Sequence, residues 1–184
     1  MNKPKIHTDL QSISNFLSEN GYQASLQRSE PPLILEQVLV YLDPNGKNKD
    51  FVLCIAGMET AENLIGLEKS PNESHVPFKC LQFTLAIPQI ITESAMGEVM
   101  RYILSINANL DMAHFGLIEK ERVMFYRYVY FTPIPSMDGE ILIAIIDSIH
   151  FMIETFYPLL ADVATGKKTY KDLIQESKNM LAKK

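Results

Sequence analysis

The chain has 184 residues, of which 47% are hydrophobic and 21% are charged, and its formal net charge is −5. This length suits one domain with a core of its own, and the composition excludes disorder over most of the chain. The negative net charge argues against a broad phosphate-binding surface, so we expect no nucleic-acid partner.

The first half of the chain predicts one helix followed by three strands. Apolar residues recur at helical spacing before a helix-ending Asn20-Gly21 pair: Ile6, Leu10, Ile13 and Leu17. Three segments with strand character follow: 33–42, 51–58 and 78–88. We expect Pro88 to end the third strand, and residues 59–77 to form a long surface loop.

The second half predicts a helix, two strands and a long helix. The first of these helices covers Met96 to Leu104, with Thr92 or Ser94 as its cap. Two strands follow around a short turn: 114–118 and 122–131. Residues 140–160 are apolar around most of a helix circumference, and we expect Pro158 to kink or end that helix.

These elements predict an α+β fold with one mostly antiparallel sheet of five strands, or slightly more, packed against helices in the order α-βββ-α-ββ-α. We expect residues 1–165 to form a single domain. Residues 166–184 have a weaker helical stripe flanked by lysines, which indicates a lysine-rich tail or a short appended helix.

The sequence favours a cytoplasmic protein. Its N-terminus lacks the apolar segment and cleavage site of a signal peptide, and Cys54 and Cys80 stand alone on apolar runs, as buried thiols of a reducing compartment do. Asp147, His150 and Glu154 interrupt the longest apolar region too often for a stable membrane span. The lysine-rich tail leaves open an association with a membrane surface.

No group of residues predicts catalysis or a cofactor. Asp147, His150 and Glu154 can share one helix face and ligate a metal, but such a helix needs a polar edge, and no second histidine-rich segment completes a ligand set. His114 stands in an unrelated segment, and no glycine motif is spaced to bind phosphate. We therefore expect no metal, no cofactor and no enzymatic activity.

The stretch Arg122–Phe131, "RVMFYRYVYF", carries the candidate binding residues. As a strand it places Val123, Phe125, Val129 and Phe131 on one face with Arg127, and we expect that face to pack under helices. The other face carries a methionine and three tyrosines, side chains that suit a partly wet protein interface. We predict these four as partner-binding residues: Met124, Tyr126, Tyr128 and Tyr130.

The element order and several polar landmarks resemble the YbjN family, whose fold is similar to that of type III secretion chaperones. The landmarks are Asn107 at a helix end, the strand and acidic turn "HFGLIEKE", the pair Arg127-Tyr128, and Tyr157-Pro158 near the end of the long helix. The resemblance covers roughly residues 6–160. It implies a non-enzymatic domain, usually dimeric, that binds protein segments or acts as a regulator.

Two functions follow as hypotheses. The first is a chaperone-like or regulatory protein-binding domain that acts as a dimer and holds an extended partner segment with a sheet edge, the tyrosine row and dimer grooves. The second is an α+β domain that senses a small molecule or a metal through His114, Arg127 or His150.

Overall fold

The computed structural model describes residues 5–28, 36–42, 51–59, 79–111, 113–132 and 136–181. These residues form an α+β fold with a six-stranded antiparallel sheet, a separate two-stranded sheet and four α-helices. The predicted fold class is confirmed, with one more strand in the main sheet than the minimum of five.

Along the described parts of the chain, one strand and one helix are followed by four strands, a helix, three strands and two helices. The strands are β1 (Lys5–His7), β2 (Gln23–Arg28), β3 (Glu36–Tyr41), β4 (Val52–Glu59), β5 (Lys79–Ile90), β6 (Ala113–Ile118), β7 (Val123–Thr132) and β8 (Ser136–Asp138). The helices are α1 (Leu10–Glu19), α2 (Met96–Asn107), α3 (Gly139–Ala164) and α4 (Tyr170–Leu181), and a short 3-10 turn (Glu93–Ala95) precedes α2.

The main sheet has the strand order β2-β3-β4-β5-β7-β6, and β1 pairs with β8 in the small sheet. The pairing from β2 to β5 is antiparallel, and its register brings one row of side chains onto the buried face: Ala24, Val40, Leu53 and Leu85. The last three are fully buried, so this row forms the centre of the core in this part of the sheet.

The contacts divide the chain into two compact units that interleave in sequence. The first unit comprises residues 1–85 and 128–148, and the second comprises residues 86–127 and 149–184. The predicted boundary between a domain at 1–165 and a tail at 166–184 stays a prediction, although most of that tail forms α4.

In the first unit, α1 packs on β2 and β3 through Ile13 and Leu17, which are both fully buried. The helix begins after Asp9, whose carboxylate accepts a hydrogen bond from the Ser12 backbone N–H at 2.8 Å. It ends at Asn20, and Gly21 takes a positive φ of 87°. This confirms the helix end that Asn20-Gly21 predicts.

In the second unit, the end of α2 is tied to β6 by one side chain. The Asn107 amide donates to the Phe115 carbonyl at 2.8 Å and accepts from the Phe115 N–H at 2.9 Å. The Phe115 ring then packs against Tyr126, with 4.8 Å between ring centroids, and against Phe156, with 5.7 Å. Phe115 therefore links β6 to β7 and α3.

Two predictions about the first half of the chain are wrong. Ile6 belongs to β1 and not to α1, because the Asp9 cap starts the helix four residues later. Strand β2 was not predicted, because only Ala24 and Leu26 of its six side chains are partly covered and the rest are exposed. An edge strand with so little apolar alternation has a weak sequence signal.

Three expectations about element ends also differ from the structure. Strand β5 continues through Pro88 to Ile90, since the register with β4 ends at Leu85 and a missing N–H at Pro88 breaks no bond to that strand. Neither Thr92 nor Ser94 caps α2, whose N-cap is Ala95. Helix α3 continues past Pro158 to Ala164.

Helix α3 is the one helix among the described residues that is long and apolar enough to cross a membrane by length and composition, and core helices of soluble proteins meet the same criterion. Of its most apolar 18-residue window, 28% is buried. Much of this apolar helix is therefore not covered by the described parts of the chain.

The Asp9 cap predicts a pH dependence of stability. Burial of the Asp9 carboxylate acts to raise its pKa, but hydrogen bonds from Ser12 and His7 outweigh it and lower the pKa from 3.8 to about 2. A folded pKa below the unfolded one stabilises the protein above about pH 4, and this contribution is lost as the pH falls through about 2.

Asp9→Ala should therefore lower the free energy of unfolding by about 1 kcal/mol at pH 7, and by less as the pH falls below about 4. Urea melts of both proteins across this range measure the difference. Asp111→Ala, which removes an exposed carboxylate, is the control. A difference between wild type and Asp9→Ala that stays constant with pH would contradict the role of the carboxylate.

Candidate functional site

A cleft of about 570 Å³ lies between α2, α3 and α4 in the second unit. Its walls are mainly apolar: Tyr102, Ile106, Leu110, Phe151, Met152, Phe156, Leu159, Leu173 and Ile174. A few polar groups also line it: Ser105, Asn109, Thr155, Glu176 and Ser177. A concave apolar site of this size with few polar groups is the usual form of a binding site.

Helix α4 forms one wall and is attached mainly by its N-terminal end. The Tyr170 backbone N–H donates to the Glu98 carboxylate at 2.8 Å, and the Tyr170 and Tyr102 rings are 6.5 Å apart. Leu173 is 5% exposed, so it anchors the first turns of the helix. Beyond it, Ser177 and Lys178 are exposed. The helix therefore closes one side of the cleft with Leu173 and Ile174 and leaves the cleft open beside them.

The start of α4 is fixed by a local capping arrangement. The Asp172 carboxylate accepts hydrogen bonds from the Thr169 backbone N–H at 2.8 Å and from its hydroxyl at 2.7 Å. Both bonds lower the pKa of Asp172, and the bond from the Thr169 backbone N–H has the larger effect. Lys168 donates to Glu176 at 2.9 Å, and this hydrogen bond raises the pKa of Lys168. Hydrogen bonds between residues close in sequence therefore fix the polar side of the first turns of α4.

Two aromatic side chains from α3 differ in their role at the cleft. Phe156 is half-buried and packs on Phe115, whereas Phe151 is 64% exposed. An exposed phenylalanine on the wall of an apolar cleft offers a large area that a ligand can cover. Tyr102 is 8% exposed, and burial raises its pKa to about 12, so its hydroxyl stays protonated at neutral pH.

The polar groups of the cleft are few, and most of its lining is apolar. Its one carboxylate, Glu176, is engaged with Lys168, and its hydroxyl and amide groups are not paired with a base in the described residues. The two thiols lie elsewhere, in the first unit, and burial raises the pKa of both Cys54 and Cys80. This arrangement can hold an apolar group and position it with a few hydrogen bonds.

The predicted tyrosine row occupies the covered face of β7. Met124 is fully buried and Tyr126 is 3% exposed, while Tyr128 and Tyr130 are half-buried. The opposite face is the more open one, since Phe131 is 53% exposed. The assignment of the two faces is thus reversed, because helices cover the side that carries the tyrosines. Partner binding by these four residues stays a prediction.

The polar stripe of α3 does not assemble into a metal site in the described part of the chain. The Asp147 carboxylate accepts a hydrogen bond from the Tyr22 hydroxyl at 2.9 Å. Burial, this hydrogen bond and the negative charge of Asp147 together raise the pKa of Tyr22 to about 12. His150 and Glu154 lie 3.5 Å apart as a separate pair.

Serine substitutions separate a core role from a surface role for the tyrosine row. Tyr126→Ser should lower the free energy of unfolding by about 3 kcal/mol, because it removes the ring that packs on Phe115 and leaves a cavity on the covered side of β7. Tyr130→Ser, at a half-buried position of the same row, should cost about 1 kcal/mol. Urea unfolding measures both values. Equal and small losses at the two positions would favour a partner surface over a core.

Sequence reasoning identified α3 and the stripe on α4 but missed the cleft. Two features of the sequence indicate apolar surfaces that line the cleft. They are the wide apolar circumference of α3 and the weak apolar stripe of α4, which contains Tyr170, Leu173 and Ile174. A pocket also requires knowledge of which helices meet, and a single sequence does not contain that.

No protein-family model matches this sequence, and the search of curated proteins finds no significant similarity. The resemblance to the YbjN family and its implied function therefore remain predictions that rest on the landmarks given above.

Proposed function

We propose that this protein is a non-enzymatic protein-binding domain, chaperone-like or regulatory, that holds an apolar segment of a partner protein in the helical cleft. The exposed Phe151 on the wall of the cleft is the observation that carries this proposal. An amphipathic segment that lays its apolar face into such a cleft would cover this ring, as in other helix-in-groove complexes.

The composition of the cleft supports a segment over a reactive substrate. Its walls are built largely from leucine, isoleucine, methionine and phenylalanine, and methionine and aromatic side chains adapt to varied apolar ligands. Met152 and Phe151 are adjacent on α3 and both line the site. We therefore place the partner surface at the cleft, in addition to the predicted residues on β7.

A labelled peptide tests this function. An amphipathic peptide with leucines at helical spacing i, i+3, i+4 and i+7 should bind, and Phe151→Ser should weaken binding about tenfold to a hundredfold, as expected for losing a buried phenyl ring. Fluorescence anisotropy measures the affinity. Because Phe151 is 64% exposed, its loss should leave the melting temperature nearly unchanged.

The matched control is Phe131→Ser, which removes a ring that is 53% exposed on β7 in the first unit and does not line the cleft. It should bind the peptide as the wild type does. If Phe151→Ser and Phe131→Ser behave alike, or if no amphipathic peptide binds, the cleft is not a peptide site.

A small-molecule sensor is the second candidate, and the cleft volume of about 570 Å³ favours it because drug-sized ligands occupy sites of this size. Thermal-shift screening with apolar metabolites distinguishes the two. A metabolite that raises the melting temperature of the wild type, but not of Phe151→Ser, and that displaces the peptide would favour the sensor.

We also propose that the protein acts as a homodimer. Met100 is 44% exposed and Leu104 is 68% exposed, and their spacing of four residues puts them on the same face of α2. A second copy can cover this apolar stripe. Sedimentation velocity at micromolar concentration should show a dimer, and Leu104→Lys should shift it toward monomer.

Ile118→Lys is the control for this experiment, because it adds the same charge at an exposed isoleucine on β6. A wild type that sediments as a monomer would refute the dimer. If Leu104→Lys leaves the dimer intact, the interface does not include this stripe of α2.

A further inference from the structure

The second unit has an open sheet face on the side opposite its buried side chains. The covered side of its strands carries Ile87, Phe115, Met124 and Tyr126, which are all at most 3% exposed. Alternation puts another set on the open side: Ala86, Pro88, Ile90, His114, Gly116, Ile118, Val123, Phe125 and Arg127. Ile90 is 67% exposed and Ile118 is 42% exposed, so these positions of the face are accessible and apolar, whereas Phe125 and Arg127 are half-buried.

Three side chains form a cluster on this face. The Phe125 ring lies over Gly116, where a Cβ would overlap the ring, so glycine is needed at this position. The Arg127 guanidinium carbon lies 4.7 Å from the centroid of the same ring. The His114 ring meets it edge-on, with 6.3 Å between centroids and an interplanar angle of 76°. Phe125 therefore holds a cationic group in a fixed position.

The charge of Arg127 is not balanced within the described residues. Its Nε is covered and has no hydrogen-bond partner there, and its one described polar or aromatic interaction is with the Phe125 ring. In contrast, the charge of Arg101 is balanced, since its Nη1 lies 3.1 Å from Oε1 of the Glu98 carboxylate. A ring attracts a cation but supplies no acceptor for its N–H groups. A half-buried guanidinium in this state favours an added anion.

We propose that this face is a binding site for an acidic peptide segment, with Arg127 donating hydrogen bonds to a carboxylate and the exposed Ile90 and Ile118, farther along the same face, contacting apolar side chains. The planar guanidinium binds a carboxylate with two parallel hydrogen bonds, and the exposed His114 imidazole adds a further donor. Phosphate-rich partners need several cations, and this face has one unbalanced arginine among the described residues.

The site is independent of the helical cleft, because none of its residues lines that cleft. If the cleft failed to bind peptide, the proposal for the sheet face would stand. If the sheet face failed to bind peptide, the proposal for the cleft would stand. The two sites are distinguished by the peptide that each prefers and by the substitution that weakens it.

Two fluorescein-labelled peptides test the site, one of alternating glutamate and leucine and one of alternating glutamine and leucine. The glutamate peptide should bind the wild-type chain about tenfold more tightly. Arg127→Gln should remove this preference, and Arg127→Lys should restore part of it, because lysine keeps the charge but loses the planar fork.

Arg101→Gln is the matched control, since it removes an exposed arginine of the same unit that already has a carboxylate partner. It should bind the glutamate peptide as the wild type does. Equal affinity of the wild type for the two peptides overturns the proposal, and this comparison decides even if a variant fails to fold. Displacement of the glutamate peptide by a short oligouridine would assign the face to nucleic acid and also overturn it.

Discussion

The second unit depends on the pair of hydrogen bonds between the Asn107 side chain and the Phe115 backbone. The amide group of Asn107 takes the place of a neighbouring peptide group, with bonds of 2.8 and 2.9 Å to the carbonyl and the N–H. This fixes the end of α2 against β6, and the Phe115 ring can then pack on Tyr126 and Phe156. Removing the amide would leave both backbone groups of Phe115 without their partners, at a cost of about 1–3 kcal/mol for each buried group.

The same hydrogen bonds bear on how a partner can bind. Strand β6 is an edge of the main sheet, and such an edge offers free backbone groups for the addition of a strand. At Phe115, in the middle of β6, these groups are already used by Asn107. The other edge strand, β2, exposes mostly polar side chains, such as Gln23, Ser25 and Gln27. Strand addition is therefore blocked at the centre of β6 and gains little apolar contact at β2, which favours the helical cleft as the proposed site for an apolar segment.

Sequence periodicity predicted many of the helices and strands, but it did not predict which face of each element is buried. Strand β7 was predicted within one residue at each end, because aromatic and β-branched residues alternate along it. A period of two shows which side chains share a face, but both faces of this strand are rich in apolar residues. Only the position of the helices decides that Met124 and Tyr126 are covered while Phe131 is exposed. The cleft was beyond prediction for a similar reason, since α2 and α4 lie far apart in the sequence and meet only in the folded chain.

The two proposed sites differ in how their charges are arranged, and this difference would sort their partners. Near the cleft two lysines are paired with carboxylates, because Lys168 binds Glu176 and the Lys167 Nζ lies 3.7 Å from the Asp162 carboxylate. Exposed pairs of this kind contribute little to affinity, so recognition there depends on apolar contact. On the open sheet face, Arg127 keeps an unbalanced charge, and exposed isoleucines lie farther along the same face. A segment with carboxylates gains from that charge, whereas a neutral amphipathic segment gains nothing from it. One small unit can thus hold two kinds of segment without competition, provided that each partner lacks the feature that the other site recognises.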